Sequence, residues 1–286
     1  MTADPFVPAV PLAASGSAAP GTSIPQLGFG VWQVPEEEVE AAVRTALEVG
    51  YRHIDTARLY ANEAGVGRAI AASELPRDDL FVTTKLWNDD HRDARRAFDA
   101  SMDRLGLETL DLYLIHWPAP GADAYVEAWR QLLELKESGR ARAVGVCNFH
   151  VAHLERLLDE TGVLPAINQV ELHPYLQQRE LREFHAEHGI VTEAWSPLAS
   201  GKKVLEDPIV AQVAAKHRVT PAQAIIRWHL QIGNVVIPKS VTPSRIAENF
   251  DVFGFELDPE DLEAFIGLDR GMRTGPNPDT FWSDPR

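Results

Sequence analysis

Short β-rich runs alternate with amphipathic stretches from one end of this chain to the other, and that alternation constrains its fold more than any other feature. The runs are "QLGFGVW" (26–32), "YRHIDT" (51–56), "LFVTTKL" (80–86), "LDLYLIHW" (110–117), "ARAVGVCNF" (141–149), "AINQVEL" (166–172), "GIVTEAWSP" (189–197) and "NVVIPKS" (234–240). Several are apolar at successive positions rather than alternate ones, as in parallel strands covered on both faces. Helical patterns fall between them, at 35–50, 89–106, 123–139, 151–162, 177–189 and 220–233. Most end at a glycine, and the first opens with Pro35 followed by an acidic turn. Eight strand–helix units without a break in composition predict an α/β chain forming a single closed (β/α)8 barrel, the TIM-barrel architecture. A doubly wound sheet is the rival, but its usual G-x-G-x-x-G turn is missing.

A chain of 286 residues is long for an ordinary domain and normal for one such barrel. The expected division is residues 1–22 as a flexible or hairpin N-terminal segment and 23–286 as one barrel catalytic domain. The opening "MTADPFVPAVPLAASGSAAPG" has no basic start and no unbroken apolar core, so it reads as a tail or hairpin rather than a signal peptide. No window approaches the ~18 consecutive apolar residues of a membrane span. A net charge of −15 argues against nucleic acid and anionic membranes as partners. The lone Cys147 allows no internal disulfide, which fits a reducing cytoplasm.

In a barrel of this kind, function sits where the strands end. The ends here carry Asp55 with Tyr60 five residues on, Lys85, His116, Asn148, Asn168, Gln169, Glu171, His173, Trp195, Ser196, Lys239 and Ser240. Singly, each has a plain explanation as a cap, a solvated cation or a structural histidine. Together they would face one mouth. Two chemistries could use them. In the first, Tyr60 transfers a proton. A phenol's pKa of about 10 is high for that work, a nearby Lys85 ammonium lowers it, Asp55 holds the lysine, and a neutral His116 orients a substrate oxygen. In the second, His53 and Asp55, two apart on one strand face, bind a metal with His116 and His173. That leaves Tyr60 without a task.

The motifs "GYRHIDTARLYANEAGVGRAI", "TKLWNDDH", "DLYLIHWP", "GVCNF", "NQVELHP" and "IPKSVTPSRIAENF" together resemble the aldo-keto reductases, from about Ile24 to Trp282. The resemblance is nearest to bacterial members of the 2,5-diketo-D-gluconate reductase type. It implies a barrel that reduces aldehydes and ketones with NADPH and needs no metal. It implies a catalytic tetrad of Asp55, Tyr60, Lys85 and His116, with Tyr60 as general acid. It places Asn148 and Gln169 at the nicotinamide carboxamide and Trp195 against the ring. The strap from Ser196 through Leu198 to Lys202 would lie at the pyrophosphate. Lys239, Ser240 and Arg245 would clamp the adenosine 2′-phosphate, with Glu248 and Asn249 at the adenine. Even without the resemblance, Lys239 and Arg245 around a hydroxyl at the start of a short helix suit a phosphate. Cys147 stands where the family usually has serine, and a thiol is a weaker donor.

Trp32, Trp87 and Trp117 adjoin strand ends and would line the substrate pocket. Trp129 and Trp228 sit in helical patterns and read as packing. His150, His153, His185 and His188 fall on helix surfaces or ends and are assigned nothing. The short tail "GMRTGPNPDTFW" implies an open site that takes small aldehydes, α-dicarbonyls or keto-sugars. The expected partner is a small carbonyl compound, and the expected state is a monomer in the cytoplasm. A protein of this fold that binds NADPH without turnover, as a sensor, is the rival from another class.

Overall fold

The computed structural model describes residues 7–12, 16–201 and 203–282. Eight parallel strands run in chain order around a closed sheet: β3 (Phe29–Gly30), β4 (His53–Asp55), β5 (Phe81–Leu86), β6 (Leu110–Ile115), β7 (Ala141–Cys147), β8 (Ile167–Glu171), β9 (Val191–Trp195) and β10 (Val235–Val236). Closure is made by a parallel bridge from Leu27 to Val236, with Gly28 N–H donating to Val236 O at 2.9 Å. The sequence runs predict all eight strands. β5 and β6 are buried at every position, which accounts for their mainly apolar text, with Thr83, Thr84, Lys85 and Asp111 as buried polar exceptions.

Two strands precede the barrel: β1 (Ala9–Pro11) pairs antiparallel with β2 (Ser23–Pro25), so the N-terminal segment makes a hairpin. Its return strand begins just past the expected boundary at residue 22. The hairpin brings Leu12 and Ile24 against Phe81, Leu112, Ala143, Ile167, Val191 and Val235, several of which start their strands. The N-terminal end of the barrel is thereby plugged with apolar side chains, and the polar residues collect at the other end.

The outer helices pack their apolar faces on the sheet. Helix Glu36–Val49 buries Val39, Ala42, Val43, Ala46 and Leu47 and stops at Gly50. Helix Pro221–Gln231 starts at a capping box in which Thr220 and Gln223 satisfy each other's backbone N–H. Its Trp228 is buried, as is Trp129 in helix Tyr125–Glu137, so both are packing residues. The pattern at 89–106 divides into a 3-10 stretch, Asn88–Asp93, and a helix, Ala94–Leu105. His185 departs from its expected place on a helix surface. It is 1% exposed, with Nδ1 at 2.9 Å from Thr192 Oγ1 and Nε2 at 3.0 Å from Asn168 Nδ2, so it pins its helix to the sheet.

Candidate active site

Lys85 occupies the centre of the polar end. It is the fifth residue of β5, fully buried, and its ammonium has three oxygen partners. Nζ donates to Asp55 Oδ1 at 2.6 Å, to Thr56 O at 2.9 Å and to Tyr60 Oη at 3.4 Å. Asp55 ends β4, next to β5. Tyr60 closes a single 3-10 turn, Arg58–Tyr60, and the chain then turns sharply at Ala61 with φ 55°. Asn62 holds that turn in place: it accepts from Thr56 Oγ1 at 2.8 Å and donates to Val31 O at 3.0 Å and Val34 O at 2.9 Å. Arg58 adds an ion pair to Asp90 at 3.0 Å.

The electrostatics follow from burial and from this one ammonium. Burial disfavours the Lys85 charge, but Asp55 first, then Tyr60 and Cys147, together outweigh it and hold Lys85 protonated. Burial raises the Tyr60 phenol, and Lys85 opposes this without reversing it, so the phenol keeps its proton. The sequence suggests a lowered Tyr60 pKa; the structure shows that the lysine only limits a rise caused by desolvation. His116 follows the end of β6. Burial, then Lys85, pushes its imidazole well below the usual range, so it is neutral. Its Nδ1 is buried without a hydrogen-bond partner. The His116 ring meets Tyr60 edge-on at 5.6 Å and Trp87 at 5.3 Å between centroids.

Around this core lie the expected cofactor residues. Asn148 takes a left-handed φ of 61°, donates through Nδ2 to His116 O at 3.0 Å and accepts from Trp195 Nε1 at 2.8 Å. Gln169 donates through Nε2 to Asp55 Oδ2 at 2.8 Å and to Glu193 Oε2 at 3.0 Å. Among the described residues its Oε1 has only the Cys147 thiol, 3.7 Å away. Cys147 is fully buried, and burial pushes its thiol well above the normal range, which disfavours a reactive thiolate. Ser196 and Leu198 follow β9 at a tight turn, where Ser200 N–H donates to Ser196 Oγ at 3.1 Å. Lys202 lies outside the described residues.

Beyond β10, Lys239 and Arg245 are exposed and without an ion-pair partner among the described residues. Between them Ser240 Oγ accepts from Thr242 N–H at 3.1 Å, just ahead of helix Pro243–Phe250. Two unpaired cations beside a helix start suit a phosphate group. Asn249 is buried on that helix, and Glu248 accepts from Thr220 Oγ1 at 2.9 Å.

The aromatic wall is larger than the sequence suggests. Trp87 and Trp117 stand by His116, and Phe281 of the tail packs on both, at 6.4 Å and 4.6 Å between centroids. Trp32 is 49% exposed on the loop after β3. The tail is anchored by Glu171, whose Oε1 accepts from Thr274 Oγ1 at 2.6 Å and whose Oε2 accepts from Gly275 N–H at 3.1 Å. A side chain at Gly275 would lie 2.6 Å from the Trp195 indole, which would have to shift to admit it.

His116 and His173 join no potential metal-ligand group with His53 and Asp55 among the described residues. His173 instead pairs with Glu171 at 3.1 Å. The third group near His53 and Asp55 is Glu193, which the sequence reading passes over. One signal was present: Glu193 and Trp195 are two apart on a strand and share its face. Any cation there would meet the Lys85 ammonium.

The sequence profile described as the Aldo/keto reductase family matches residues 25–270. A methylglyoxal reductase named DkgA from Yersinia pestis is 57% identical over 265 residues, covering 92% of this chain and 96% of its own. An aldo-keto reductase from Mycolicibacterium smegmatis (strain ATCC 700084 / mc(2)155) is 56% identical over 263 residues, covering 91% and 95%. Among solved structures, an aspartate-to-alanine mutant of a protein called Gox0644, in complex with NADPH, superposes with a TM-score of 0.90 at 49% identity, over 96% of this chain and 99% of that one.

Proposed function

This chain belongs to the aldo/keto reductase family, and on that premise we propose which of its residues carry out carbonyl reduction and what they reduce. The enzyme is an NADPH-dependent oxidoreductase that turns aldehydes and ketones into alcohols. The reading treats residues 23–286 as one catalytic domain. The observation that carries the assignment is the Lys85 ammonium, shared at 2.6 Å and 3.4 Å between the Asp55 carboxylate and the Tyr60 hydroxyl.

The cofactor fits the residues present. Gln169 Oε1 has a free lone pair, Asn148 lies beside it, and Lys239 and Arg245 are unpaired where a 2′-phosphate would be met. Trp195 would lie along the ring, Ser196 and Leu198 at the pyrophosphate, and Ser240, Glu248 and Asn249 around the adenosine. When bound, NADPH supplies the hydride. Tyr60 gives its phenolic proton to the carbonyl oxygen as charge grows there. Lys85 steadies the phenolate that remains, and Asp55 keeps Lys85 charged and fixed. His116, neutral and close to Tyr60, orients the substrate oxygen. Trp87, Trp117 and Phe281 shield the reaction from water, with Trp32 at the rim.

The substrates we infer are small α-dicarbonyls, methylglyoxal first, in keeping with the relatives' name; keto-sugars are the next class. Among the described residues no helix is long and apolar enough to cross a membrane. The exposed large apolar residues among those described are few: Trp32, Leu158, Val241, Ile266, Met272 and Trp282. That supports a monomer, which we place in the cytoplasm. The test is NADPH absorbance with methylglyoxal, phenylglyoxal and diketogluconate, for wild type and Tyr60→Phe, alongside direct NADPH binding. Oxidation lost in Tyr60→Phe with binding kept supports the assignment. Equal turnover in both proteins refutes Tyr60 as the acid.

A further inference from the structure

Glu193 is a carboxyl group that the mechanism above leaves without a task. It is wholly buried on β9, and among the described residues its one ion-pair candidate is His53 at 3.8 Å, which burial keeps neutral. Strand register explains its neighbours: Cys147 pairs with Gln169, and Gln169 with Glu193, so three inward side chains on β7, β8 and β9 lie at one level. Asp55 reaches the same level from β4. The Gln169 amide sits among them with both N–H bonds spent, one on Asp55 Oδ2 at 2.8 Å and one on Glu193 Oε2 at 3.0 Å.

A side-chain amide can flip, exchanging its oxygen and nitrogen ends. Here a flip would press the amide oxygen against the Asp55 carboxylate, take from Glu193 Oε2 the N–H that it accepts, and turn the N–H2 toward Cys147. Asp55 opposes the flip by charge, and Glu193 favours the observed orientation by accepting the second N–H. Gln169 Oε1 is left with only a thiol at 3.7 Å, a weak donor that does not use up its lone pairs.

The groups facing Glu193 are Asp55 and His53 from β4, Lys85 from β5, Cys147 from β7 and Gln169 from β8. Burial, then the Asp55 charge, pushes its pKa up to about 8. At neutral pH it is a carboxylic acid, and it adds no second negative charge beneath the tetrad. Among the described residues Glu193 Oε1 has no hydrogen-bond partner, and it faces His53 Nε2 at 3.8 Å. Gly28 makes the room for His53, since a side chain there would lie 2.3 Å from Nδ1.

We propose that Glu193 is a positioning residue for the cofactor: together with Asp55 it locks the Gln169 amide so that Oε1 is presented to the N–H2 of the nicotinamide carboxamide. The inference rests on the assignment of Gln169 to the carboxamide. It separates two duties of one side chain, since the Gln169 nitrogen is held by the protein and its oxygen is kept for the ligand.

The experiment measures binding by the full chain without any carbonyl substrate, read by quenching of tryptophan fluorescence. The ligands are NADP+ and its 3-acetylpyridine analogue, in which a methyl replaces the amide nitrogen. The variants are Gln169→Ala, Glu193→Met and Glu193→Gln. Glu193→Met is expected to raise the Kd for NADP+ about fivefold, the effect of one hydrogen bond, and to leave the Kd for the analogue unchanged. Glu193→Gln, which keeps an acceptor oxygen, is expected to restore NADP+ binding. Equal losses for the two ligands in Glu193→Met would mean a structural role only and overturn the proposal. So would unchanged NADP+ binding in Glu193→Met while Gln169→Ala weakens it. If Gln169→Ala itself binds NADP+ as wild type does, the carboxamide assignment fails, and this inference with it. Should Glu193→Met not fold, Glu193→Thr, a β-branched strand former that withdraws the carboxyl, is judged against the same two ligands.

Discussion

Replacing Lys85 with methionine takes the charge out of the centre of the site and keeps most of its buried stem. In wild type the ammonium lies 2.6 Å from Asp55 Oδ1, and both side chains are almost inaccessible to water. Methionine leaves Asp55 facing Glu193 through a single amide. An unpaired buried carboxylate is costly, and the group takes up a proton instead. That proton sets a ceiling on the loss. Protonating a carboxyl of unfolded pKa ~3.9 at pH 7 costs about 4 kcal/mol. For 286 residues the unfolding entropy is about 0.6 kcal/mol/K, so the loss is about 7 °C in Tm.

The sign of the pH dependence is the sharper test. In Lys85→Met the folded-state pKa of Asp55 lies above its unfolded value, so the native state holds the extra proton. The variant therefore recovers stability as pH falls, by about 1.4 kcal/mol per unit down to about pH 4. Thermal unfolding of both proteins, followed by circular dichroism at pH 7, 6 and 5, measures the gap. Titrations remote from Lys85 are common to both proteins and cancel in the difference. The expected gap shrinks from about 7 °C at pH 7 to about 3 °C at pH 5. A gap that stays constant, or widens in acid, would show that Asp55 does not depend on Lys85 for its charge. The same variant is expected to lose NADPH oxidation by about a hundredfold or more, the range of a positioned proton donor.

Further outcomes follow from other parts of the molecule. Arg245→Ala is expected to raise the Michaelis constant for NADPH about tenfold and leave that for NADH unchanged; equal effects would refute its contact with the 2′-phosphate. Cys147→Ser restores the stronger donor that the family usually offers the nicotinamide carboxamide and is expected to lower the NADP+ Kd about threefold, which titration by fluorescence would detect. Burial lowers His53 to about 3 and His185 to about 3, and His91 to about 4. Each folded value lies below the unfolded one of about 6.5, so the unfolded chain binds protons first and stability is lost as pH falls from about 6.5 toward 4. His185→Gln is expected to reduce the pH slope of unfolding free energy in that window by about 1.4 kcal/mol per unit, and an unchanged slope in denaturant titrations would contradict a neutral buried His185.

What the sequence discloses about this protein depends on whether the constraint on a residue is local or distant. Strands buried on both faces are mainly apolar, so Phe81–Leu86 and Leu110–Ile115 are legible from their own residues despite the buried Lys85 and Asp111. Closure of the barrel then sends Asp55, Lys85, His116, Gln169 and Trp195 to one end, which is why a list of strand-end polar residues already assembles most of the site. Helix Glu63–Ala71 was not legible, because Gly65 and Gly67 read as loop. Their reason is tertiary. A side chain on Gly65 would lie 2.3 Å from Val39, and one on Gly67 would lie 2.4 Å from the Leu105 carbonyl, so the helix is pressed between two others and can carry nothing larger there. Phe281 was passed over for a related cause: nothing in a short polar tail says that it returns to Trp87 and Trp117. Glu193 falls between these cases. Alternation on β9 already turns it inward with Trp195, and an inward carboxyl in an apolar strand is anomalous enough to demand a partner. The partners, Gln169 and Asp55, come from two other strands and meet it only when the barrel closes. The sequence thus exposes the anomaly while the fold supplies its explanation: an amide whose nitrogen is held by two carboxyl groups and whose oxygen is kept free.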